Sequence, residues 1–192
     1  MNKRILFGLM LVAGMAAAMQ GIAAGAEPGA AAPAVVPTEF KELQWDALVP
    51  KDWDPLKRFR DKNIGLVDDS DPKMQSMLRE MQATWDNAPT NSKLDGVAVK
   101  LPGYLVPLDQ VKGEVREFLL VPYFGACIHT PPPPANQIVH VKLAKPAMGF
   151  QSMDAVWVRG ILKTMRQDSP MGMSGYLMQG AGIERYEPVS PR

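Results

Sequence analysis

Downstream of residue 93 the chain alternates short runs of Val, Leu, Ile and aromatic residues with Gly, Pro and Asp, the texture of β-strands separated by turns. Five such runs are present: Gly96 to Val106, Val115 to Phe124, Gln137 to Leu143, Ala155 to Met165 and Gly175 to Tyr186. The longer gap around Pro146, Gly149 and Phe150 leaves room for a loop or a short helix. Three strands, an excursion and two strands is the rhythm of a small five-stranded barrel of the oligonucleotide/oligosaccharide-binding (OB) type, and other small β-barrels share it. Upstream the period changes. Asp71-Pro72 reads as a helix N-cap followed by proline in the first turn, and Met74, Met77, Leu78, Met81 and Trp85 recur on one helical face until Asn87, Ala88 and Pro89 end it. That face is expected to be core, with methionine as gap-filler.

The expected fold is therefore mainly β within an α+β class: a five-stranded OB-like barrel over 93–190, with an irregular arm and one amphipathic helix over 39–92 packed against it. Phe40, Leu43, Trp45, Leu48 and Val49 supply the apolar residues of the arm. The Ala/Pro-rich stretch 27–38 has too little apolar bulk to pack and reads as a spacer.

Residues 1–26 have a different pattern again. Lys3 and Arg4 precede an apolar run from Ile5 to Met19, and Ala24-Gly25-Ala26 satisfies the small-x-small cleavage rule. This is the order of a cleaved secretory leader. The run is shorter than the roughly 20 residues needed to cross a bilayer, so the expected destination is the periplasm, with no integral span after processing. The chain carries 21 basic and 20 acidic residues with no basic block, which argues against nucleic acid as a partner.

The chemistry-bearing residues are concentrated in Phe118 to Val141, which holds the single cysteine, Cys127, and both histidines, His129 and His140. On a strand Cys127 and His129 would share a face, and an even loop over 131–136 would set Cys127 opposite His140. Three such ligands with an open fourth position suit zinc, while copper(I), with Met171 and Met173 as thioether donors, is the alternative. The same residues admit other uses. Cys127 can be a buried apolar side chain with no metal, or a nucleophile with a histidine base, although no second cysteine exists for thiol exchange. Tyr104, Tyr123, Phe124 and the prolines Pro131, Pro132, Pro133 and Pro134 can form a docking surface for another protein.

The segments Trp45–Pro50, Gly103–Leu108, Phe118–Gln137 with its Cys-Ile-His-Thr-Pro-Pro-Pro-Pro core, and Val156–Gly160 resemble a family of exported bacterial proteins, domain of unknown function 3299. The resemblance runs over about residues 40–188. It implies an accessory protein beside ABC-type transport systems, with periplasmic or inner-membrane transport components as partners. It also favours transition-metal homeostasis, most simply of zinc, over catalysis.

Overall fold

The computed structural model describes residues 37–55, 57, 71–128 and 132–187. Residues 1–26, expected to be a leader, nearly all of the expected spacer, His129 and Pro131 lie outside the described residues. All described residues fall in one compact unit, residues 36–192.

The strands are β1 (Lys41–Glu42), β2 (Ala98–Val111), β3 (Glu114–Val121), β4 (Val139–Met148), β5 (Ala155–Lys163) and β6 (Tyr176–Arg185). They form one sheet in the order β1-β2-β3-β4-β6-β5, and an additional β2–β5 pairing closes the last five strands into a barrel. The β4–β6 pair is parallel, whereas β2–β3, β3–β4, β2–β5 and β5–β6 are antiparallel. This is a closed five-stranded barrel with the strand order of the OB class. The excursion between β4 and β5 is a loop, Gly149 to Asp154, without a helix.

Closure depends on β2, which serves two neighbours. Ala98 to Tyr104 pairs with β5 and Tyr104 to Val111 pairs with β3. Gly103 sits where the strand changes partner. A Cβ there would lie 2.8 Å from the Val121 carbonyl oxygen and 2.9 Å from Leu120 Cγ, so only glycine admits this approach.

Alternation sorts the strand side chains onto two faces. Val99, Leu101, Leu105, Val115, Phe118, Leu120, Val139, Val141, Val156, Val158, Leu162, Tyr176 and Met178 join Leu43, Leu48 and Leu94 in the main core. A second cluster, Val106, Leu119, Val121, Ala126 and Ile138, lies on the other face of β2 and β3. That face is buried because the β3–β4 connection folds back over it.

The arm is bound to the barrel by directed hydrogen bonds. Trp45 Nε1 donates to the Pro102 carbonyl at 2.7 Å. The buried Tyr176 hydroxyl donates to the Leu48 carbonyl and accepts from the Asn91 amide, both at 2.6 Å. Helix α1 (Pro72–Asp86) begins as its sequence indicates, with the Asp71 carboxylate accepting from the Lys73 amide at 2.7 Å and proline in the first turn. Its apolar face corrects the expectation of a core position. None of its side chains is buried, and Leu78 is 50% exposed. Periodicity specifies an apolar stripe, but burial needs an opposing surface, and the barrel fills its interior with its own strand side chains.

Candidate functional site

The sequence places Cys127 and His129 on a strand. The structure places Cys127 in a turn, because β3 stops at Val121. Pro122 has no N–H to continue the ladder, and the chain then turns through Gly125 and Cys127 at φ 85° and 64°. A positive φ is uncommon for a residue with a Cβ. Here the backbone is held by close local contacts: the Gly125 amide donates to Met153 Sδ at 3.1 Å, and the Ile128 amide to the Gly125 carbonyl at 3.3 Å. Cys127 is half-buried and, like Met153 and Met171, packs against the outer apolar cluster. Burial pushes its thiol up to about 11, so at neutral pH it is protonated.

The facing of Cys127 and His140 is also corrected. The residue opposite His140 on β3 is Leu119, and on β6 it is Leu177. The β3–β4 connection is therefore a long excursion from Pro122 to Ile138, and a tight hairpin count across it sets the wrong register.

His140 is 4% exposed, and its Nε2 lies 2.5 Å from Glu117 Oε1. Lys142, directly opposite Glu117 in the ladder, reaches the same carboxylate oxygen at 3.3 Å. Partial burial works to raise the Glu117 carboxyl. Hydrogen bonds from His140 and Lys142, together with their charge, outweigh it and hold the group below the ordinary carboxylate range. The second ring nitrogen, Nδ1, is buried and has no hydrogen-bond partner among the described residues. Glu117 was not legible as a site residue, since only strand register brings it to His140. Among the described residues no group of three or more His, Cys, Asp and Glu side chains is placed to hold a metal ion.

The aromatic residues form a different arrangement. Phe124 is 65% and Tyr123 43% exposed, while Tyr104 is half-buried and meets Phe124 edge to face, with ring centroids 5.8 Å apart. The same Tyr104 helps wall an open groove of about 290 Å³ with Trp45, Pro102, Pro122 and Tyr186. Trp45 and Tyr186 come from the arm and the end of β6, far apart in sequence, so no local motif marks this groove. The proline run takes a smaller share of the surface than its sequence suggests. Pro133 is buried, Pro132 and Pro134 are half-buried, and Pro132 lies so close to Gly172 that a Cβ there would approach its ring to 3.0 Å.

A closed OB-order barrel, with a polypeptide arm bonded along one side and a solvent-facing aromatic ledge beside a groove, defines a small β-barrel protein with an accessible apolar surface. The profile of the family described as protein of unknown function (DUF3299) matches residues 45–185, and the chain belongs to that family. It is similar to the crystal structure of a DUF3299 family protein from Pseudomonas aeruginosa PAO1, at 38% identity and a TM-score of 0.61, covering 79% of this chain and 99% of that one. None of the curated proteins matches.

Proposed function

We propose that this protein is an exported binding module that docks an extended, apolar or proline-containing segment of a partner protein of the cell envelope, such as a transport component. The observation that carries the reading is the continuity of the aromatic surface, in which Tyr104 both walls the groove and supports the exposed Phe124 ring. Aromatic rings are rigid and amphipathic, so they gain contact area on binding at little entropic cost. Grooves lined by aromatic residues also suit extended proline-rich segments, whose conformation is largely set before binding. A photoreactive residue at position 124, compared with one at the exposed Lys145, tests the reading in cells that produce the full chain. A discrete cross-linked partner is expected at 124 alone, competed away by the unmodified protein but much less by its Phe124→Ser variant. The same products at both positions, or none at 124, would overturn it.

A second reading is an accessory role in transition-metal homeostasis beside an ABC-type transport system, with zinc as the ion and copper(I) as the alternative. The observation favouring it is the buried, unpartnered Nδ1 of His140. Chelator-competed zinc titration of the reduced protein tests it. Uptake of one equivalent by the native protein is expected, weakened at least tenfold in Cys127→Ser and His140→Ala. Identical uptake by all three would remove the reading.

A further inference from the structure

The groove beside β2 is built to hold a ring rather than another strand. Pro102, on its wall, has no N–H for a ladder bond, and its carbonyl already accepts from Trp45 Nε1 at 2.7 Å. An occupant gains little from backbone hydrogen bonds there, so a segment lacking N–H groups loses nothing. Two tyrosines stand on either side of a small residue. Tyr104 is opposite Ala155 in the β2–β5 ladder, and the Tyr186 amide donates to the Ala155 carbonyl at 2.9 Å. Two strand spacings therefore put about 10 Å between the tyrosine backbones, with the small residues Ala155 and Gly103 also lining the groove. Packed carbon atoms lie about 3.5–4 Å apart, so an opening of that width takes one compact ring between the two. Tyr186 is backed by Trp157, with ring centroids 5.5 Å apart. The last described residue, Glu187, is one position beyond that wall, and Pro188, Val189, Ser190, Pro191 and Arg192 follow it. The two prolines recur at the three-residue period of a polyproline II helix, the spacing of segments that dock in aromatic-lined grooves. At about 3.1 Å per residue, five residues reach about 15 Å, enough to cross from Tyr186 to Tyr104.

We propose that the segment 188–192 occupies the groove between Tyr104 and Tyr186 of its own chain, and that a partner's proline-containing segment binds by displacing it. This rests on the docking reading and adds a resident competitor to it. Attachment one residue from the groove wall gives the segment an effective concentration on the order of millimolar. Weak proline-containing ligands are thereby excluded, and only a partner that gains further contacts, such as those with the exposed Phe124 ring, takes the groove.

The experiment places a photoreactive residue at position 190 of the full chain. Irradiation is expected to join 188–192 to the peptides that carry Trp45, Tyr104 or Pro122, at the mass of a single chain and with a yield independent of protein concentration. Replacing both prolines, Pro188→Gly with Pro191→Gly, is expected to lower that yield and to raise partner capture at position 124, each by about tenfold. No product within the chain, or products only with peptides away from the groove, would overturn the proposal. Products only between two chains, rising with concentration, would also overturn it and give the groove to a second copy. So would capture at 124 that the double proline replacement leaves unchanged. If position 124 captures no partner in either protein, the docking reading fails, while the products from position 190 still show whether 188–192 sits in the groove.

Discussion

At the scale of single residues, Cys127 and Tyr176 show how burial alters ordinary side-chain chemistry. The Cys127 thiol, pushed from 9.0 up to about 11 by desolvation, should present about a hundredfold less thiolate than a free thiol at pH 8. Alkylation by iodoacetamide in the metal-free native protein should be correspondingly slow, and should accelerate in denaturant. The same shift has a sign in stability. Because the folded thiol ionises at a higher pH than the unfolded one, its contribution is complete below pH 9 and is lost as the pH rises toward 11, so Cys127→Ala should flatten the alkaline side of the stability profile over that interval. Tyr176 is fully buried with its hydroxyl serving Leu48 and Asn91, and burial raises it while the Asn91 bond works the other way. Tyr176→Phe keeps the ring and leaves two backbone groups unpaired. A loss of about 1–3 kcal/mol is expected by urea denaturation. Tyr176 was legible as part of a strand; its two partners on the arm, 128 and 85 residues away, were not.

At the scale of elements, close approach between strands sets the requirements. Gly160 sits beside β6 at a register shift, where a Cβ would collide with the Gln179 carbonyl oxygen and lie 2.8 Å from Met178 Cγ. Gly160→Ala should therefore lower stability by about 1–3 kcal/mol, seen as a drop of about 2–4 °C in Tm for each kcal/mol lost. The five barrel strands were readable because alternating side chains lie next to one another in sequence. The ends were harder. β2 runs on to Val111 and β4 to Met148, past the Val106 and Leu143 at which their apolar runs stop, since hydrogen bonding to β3 continues after the side chains become exposed. β3 shows the reverse error, in which the apolar residues Tyr123 and Phe124 continue the pattern after Pro122 has ended the strand.

At the scale of the whole molecule, the arm and barrel share one core: Leu43 and Leu48 pack with strand residues from all five barrel strands. Arm and barrel should consequently melt together. Tryptophan fluorescence, which includes Trp45 on Pro102, and far-UV circular dichroism should give coincident transitions. No helix among the described residues is long and apolar enough to cross a membrane. The amino-acid sequence by itself determined the β-rich class, the five strand positions, the Asp71-Pro72 cap of α1 and the family, because each depends on residues close together in the chain. Only the tertiary structure decided that Leu119 faces His140, that Glu117 holds the histidine ring, that Cys127 sits in a turn, and that Trp45, Tyr104 and Tyr186 meet at one groove. Those arrangements follow from strand register and closure of the barrel, which are set by the summed pairing of distant segments and leave no local trace in the chain.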